Sequence, residues 1–149
     1  MSASYRLRLW NIISQSPYDV MTDLECWTAI NTKNVPIIVS TWVSEREIIM
    51  GATTLAVGEA FMQKLETGAV SNEVLARAIK WFAPSEGGID VGDEKMRSTL
   101  DSLVGLYGIT QAEINFLKGF AEKNISPAEV SGLDNVALGD IVMTREIYT

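Results

Sequence analysis

The residues from Ser44 to Gly68, SEREIIMGATTLAVGEAFMQKLETG, decide how this chain folds. They open with Ser44 and Glu47 spaced as a capping box, in which serine and glutamate satisfy each other's orphan backbone amides. From Ile48 to Met62 apolar residues then lie almost all the way round a helical projection, the pattern of a helix covered on several sides. Gly68 supplies a stop. The spacing predicts one helix from Ser44 to Thr67, and a helix of that length makes the chain mostly α. Within it Ala52, Ala56 and Ala60 recur every four residues. Small residues at that spacing admit a second helix closely, so these three form a candidate helix-packing or oligomer face.

Further helices follow on the same signals. Ser71 is read as the cap of a helix whose apolar face is Val74, Leu75, Ala78, Ile79 and Phe82, with Pro84 as its end. Asp93 or Glu94 opens a helix carrying Met96, Leu100, Leu103 and Tyr107, stopped by Gly108. Thr110 and Glu113 make another capping box, predicting a helix to near Asn124, and Ser126-Pro127 opens a short last one. Upstream, Ser16-Pro17 reads as a helix start, with Val20, Leu24, Trp27 and Ile30 in register as far as Asn31.

Three segments read as β. Residues 36–43 are rich in β-branched and aromatic side chains and have the length of a buried strand. In residues 4–10 Tyr5, Leu7 and Leu9 alternate with Arg6 and Arg8, a half-buried strand, although Tyr5, Leu9, Ile12 and Ile13 also fit helical spacing. Residues 141–148 are a candidate third strand. The prediction is a mostly α, compact helical domain of five to six helices with a minor β element. No linker or repeat divides residues 1–149, so a single globular domain is expected, as the length suggests.

Composition narrows the chemistry. There is no histidine and one cysteine, Cys26. Catalysis by Ser-His-Asp or Cys-His, an internal disulfide and multi-thiolate metal sites are therefore excluded within one chain. Twelve basic against nineteen acidic residues give a net charge of −7. Nucleic-acid binding rests on lysine and arginine neutralising phosphates, so nucleic acid is a disfavoured partner. The longest apolar stretch, residues 48–62, contains Thr53, Thr54 and Glu59 and falls short of the about 20 residues that span a bilayer. With no signal-peptide core at the start, a cytoplasmic setting without a membrane partner is expected, as for a virus-encoded accessory or structural protein.

Few constellations carry a mechanism. Leu100, Leu103, Val104, Gly108, Ile109, Ile114 and Leu117 match helix-turn-helix spacing and would present Gln111, Ala112 and Asn115 to a DNA groove. Residues 93–123 carry five acids against four bases, and Glu113 would meet the phosphates, which favours a plain helical hairpin. The loop from Pro84 to Glu94 holds three glycines and four carboxylates without a base. It lacks the lysine of a phosphate cradle, and its spacing of Asp90, Asp93 and Glu94 does not match a calcium loop. No cofactor or metal is expected.

Trp27, Trp42 and Trp81 fall in periodic apolar segments and are expected in the core. Trp10, beside Arg6 and Arg8, is the candidate exposed anchor, since tryptophan and arginine are enriched at interface hot spots. Hydrophobic residues make up 47% of the chain, and apolar area left at a surface marks an interface. The expected function is a non-enzymatic interaction or assembly protein, acting through self-association as a homo-oligomer or by binding another macromolecule. The alternatives are an acidic inhibitor or mimic that occupies a partner's basic surface, and a helix-turn-helix regulator.

Overall fold

The computed structural model describes residues 1–149 and is mostly helical, with nine α-helices and two small two-stranded sheets. The chain separates into two compact units, residues 1–37 with 124–149, and residues 38–123. It passes from the first to the second inside β1 (Val35–Ile38) and returns inside β4 (Glu122–Ile125), which pair with each other.

The first unit contains α1 (Ala3–Ile13), α2 (Asp23–Asn31), α8 (Pro127–Val130) and α9 (Leu138–Tyr148) around Leu9, Ile13, Cys26, Ile30, Leu133 and Ile141. Residues 4–10, expected as a strand, are therefore helical. The helical period prevails because Ser2 caps the first turn and Leu9 and Ile13, four apart, are buried while Leu7 stays in water. Residues 141–148, the candidate third strand, are also helical, and bury Ile141 and Thr144 three apart. The helix expected from Ser16 starts later. Tyr18–Val20 is a 3₁₀ turn, and the cap of α2 is a box made by Thr22 and Glu25. Arg145 ties that turn down, donating to the Tyr18 and Met21 carbonyls and to the Asp23 carboxylate at 2.9, 2.9 and 2.7 Å.

The second unit holds β2 (Trp42–Val43), α3 (Glu45–Gly51), α4 (Leu55–Ala69), α5 (Glu73–Phe82), β3 (Ile89–Asp90), α6 (Glu94–Ser102) and α7 (Gln111–Gly119). Its core gathers Val43, Ile48, Phe61, Leu65, Phe82 and Ile114. The capping boxes at Ser44/Glu47 and Thr110/Glu113 form as predicted. The helix predicted across 44–67 does not run through. Ala52 turns extended and the Thr54 hydroxyl accepts from the Val57 amide at 3.2 Å, starting α4 afresh. Threonine hydroxyls offer the backbone a partner that competes with the helix, and two in succession after Gly51 break it. The expected strand 36–43 is likewise split into β1 and β2, and the helix predicted to reach Asn124 stops at Gly119, before β4.

Because α3 folds back, its backbone approaches α4 at Gly58, where a Cβ would lie 2.7 Å from the Ile49 Cα. Gly58→Ala is expected to lower stability in urea unfolding by about 1–3 kcal/mol, the cost of overpacking against backbone. Gly119→Ala, with no neighbour within 4 Å, is expected to leave it unchanged or raise it by up to about 1 kcal/mol.

Candidate functional site

The site begins with a two-residue antiparallel pairing. Trp42 lies opposite Asp90 and Val43 opposite Ile89. Directly opposed residues share a face and successive residues alternate. Val43 and Ile89 are buried, so Trp42 and Asp90 face outward together. Such a short ladder needs help, and Asp90 provides it. One carboxylate oxygen accepts from the Thr41 amide at 2.8 Å and the Gly92 amide at 2.9 Å, and the other from the Ser40 hydroxyl at 2.5 Å. The Ser40 hydroxyl first, then the backbone amides, hold the Asp90 carboxyl below the ordinary carboxylate range. Gly88 allows the strands to meet, since a Cβ there would lie 2.2 Å from the Val43 carbonyl oxygen and its φ is +92°, beside +82° at Gly87.

The second wall comes from α5. Leu75, Ala78, Ile79 and Phe82 point into the core, and Trp81, one position before Phe82, is rotated away from it. Trp42 and Trp81 are 63% and 47% exposed. They line a cleft of about 420 Å³ together with Met96, Glu86, Asp90 and Asp93, at the small end of the range for ligand sites. Asp93 is committed in part, since one of its oxygens caps α6 by accepting from the Met96 amide at 2.9 Å. The Glu86 carboxylate has neither an ion-pair nor a hydrogen-bond partner. The arrangement offers two indole faces, a thioether and an uncompensated negative rim, which suits a cation carried on an apolar stem.

The other candidates are placed differently. Arg6, Arg8 and Trp10 lie on α1. Arg8 is exposed, Arg6 is half-buried, and neither makes an ion pair. Trp10 is half-buried and stacks on Tyr148 with ring centres 5.3 Å apart and planes at 13°. Ala52 sits in the break after α3, so it does not continue the row of Ala56 and Ala60 along α4, both of which are exposed. Gln111, Ala112 and Asn115 are exposed at the start of α7, with the Gln111 amide donating to Asn115 at 2.9 Å. The connection from α6 to α7 covers residues 103–110, longer than the about three to four residues of a helix-turn-helix. Glu113 there accepts from Lys64 at 2.8 Å.

The tryptophans correct the sequence reading most. Trp27, Trp42 and Trp81, expected in the core, are all exposed, Trp27 with its indole N–H bonded to the Val136 carbonyl at 2.8 Å. The signal was present in their neighbours. Trp42-Val43 is an adjacent apolar pair, of which a strand can point only one member inward, and on α5 the stripe of Leu75, Ala78, Ile79 and Phe82 leaves Trp81 off to one side. No family model, curated protein or solved structure matches the chain.

The Asp90 contribution is expected to depend on pH in one direction. A carboxyl held low stabilises the fold above its ordinary value near 3.8 and loses that effect as pH falls through its lower folded value. Asp90→Ala should therefore be less stable than wild type at pH 7 in urea unfolding, with the gap closing below pH 3.8. A gap constant with pH would mean that the carboxylate charge does not hold the corner.

Proposed function

We propose that this chain is a non-enzymatic interaction protein that works through exposed apolar surface, with a second copy of itself as its first partner. The observation that carries this is the Trp42–Trp81 cleft, where the two largest apolar side chains available stand in water on one surface. Monomeric proteins scatter single apolar residues over the surface, whereas a rimmed apolar patch marks a contact.

Magnitudes set the strength. A tryptophan offers about 150–250 Å², so these two leave on the order of 200 Å² to be covered. At about 25 cal/mol per Å² that supplies roughly 5 kcal/mol. Association costs about 4–15 kcal/mol in lost freedom, so the indoles alone bring it only to the threshold. Further apolar contact or a charge pair is needed, and the expected assembly is weak and concentration-dependent. A second reading, an acidic binder of a basic partner surface, draws support from the same unpaired Glu86 rim. It differs in requiring a foreign basic protein for any change in mass.

Light scattering after size exclusion is expected to show a molar mass that rises above 16.4 kDa with concentration, between about 1 µM and about 1 mM. Trp42→Ala with Trp81→Ala should return it to the monomer value. A wild-type monomer throughout that range would contradict self-association.

A further inference from the structure

We propose that the cleft receives Arg8 from α1 of a second copy, making a heterologous, head-to-tail contact. The inference rests on the self-association reading and names the surfaces that perform it. The cleft asks for a cation on an apolar stem, and the chain's own cations can be compared for the part. Lys33, Lys64, Arg97, Lys118 and Arg145 are engaged in ion pairs. Arg46, Lys95 and Lys123 adjoin carboxylates in sequence, and Arg77 and Lys80 stand on α5, the helix that carries Trp81. Arg6 is half-buried.

Arg8 remains. It is exposed and without an ion pair, in a stretch, residues 1–18, that carries two arginines and no acid. Leu7, half exposed, stands next to it, and Ser4 and Asn11 continue its helical face without charge or bulk. A guanidinium is planar and weakly hydrated, stacks on an indole and can engage a carboxylate with two parallel N–H donors. Glu86 is the carboxylate free to accept both, while Trp42 and Trp81 cover the aliphatic stem. Since the two surfaces differ, one copy's α1 fills the next copy's cleft, and the contact closes into a ring or continues as a chain.

The test is a charge exchange, read by light scattering at low salt. Both side chains are exposed, and circular dichroism checks each variant for folding. Arg8→Glu and Glu86→Lys are each expected to weaken assembly at least tenfold, and the double variant R8E/E86K to recover most of it. An equimolar mixture of the two single variants should recover assembly with the two variants alternating, because the Arg8 kept by one fits the Glu86 cleft kept by the other, and the two substituted positions complement each other in return. Wild-type assembly that neither single variant weakens, or a double variant that does not recover, would overturn this contact while leaving self-association standing. A wild-type protein that does not assemble at all would overturn the reading beneath it.

Discussion

The hydrogen bonds accepted by the Asp90 carboxylate are the constraint on which the exposed part of the second unit depends. β2 and β3 are two residues each, too short to hold a register by their own ladder. Asp90 gathers Ser40, Thr41 and Gly92 around one side chain, and thereby fixes both strands at the Trp42–Asp90 end of the pairing. With that corner closed, Val43 and Ile89 are committed to the core and Trp42 to the outside, because neighbours on a strand cannot share a face.

On α5 the helical period does the equivalent, with Leu75, Ala78, Ile79 and Phe82 forming the core-facing stripe. Phe82 takes the inward position and leaves Trp81 facing water. Two elements with different periods thus discard a tryptophan onto the same surface, where the segment between α5 and α6 brings Glu86 and Asp93 alongside. The apolar excess of the composition is explained by this placement. It lies partly outside the core, at Trp42, Trp81 and Met50 in the second unit and Leu24, Met143 and Ile147 in the first.

Helix caps were the most legible feature of the chain, although α5 is capped by Asn72, which accepts from the Leu75 amide, and not by Ser71. The boxes at Ser44, Thr110 and Ser126 and the Asp93 cap stand where local chemistry puts them, since each depends on residues three apart. Strand positions were much less legible. Alternation in Tyr5-Arg6-Leu7-Arg8-Leu9 coexists with a helical period, and the Ser2 cap together with the burial of Leu9 and Ile13 against distant parts of the chain decides between them. The 44–67 segment misled because apolar continuity hid the Thr53-Thr54 break. That break is decided by hydroxyl competition for a few amides rather than by periodicity. The cleft was illegible as a site, because the pairing of Trp42 with Asp90 joins residues 48 positions apart. Its ingredients were nonetheless visible as an acidic glycine loop and two tryptophans beside better core residues.

Trp42 and Trp81 stand in water in the isolated chain, and the proposed self-association covers them when copies meet. Acrylamide quenching of tryptophan fluorescence as protein concentration is raised tests it directly, with Trp42→Phe and Trp81→Phe assigning the signal. Ready quenching of both indoles is expected in dilute solution, with progressive protection as concentration rises. Indoles that are shielded even at high dilution, or whose accessibility never changes with concentration, would contradict it.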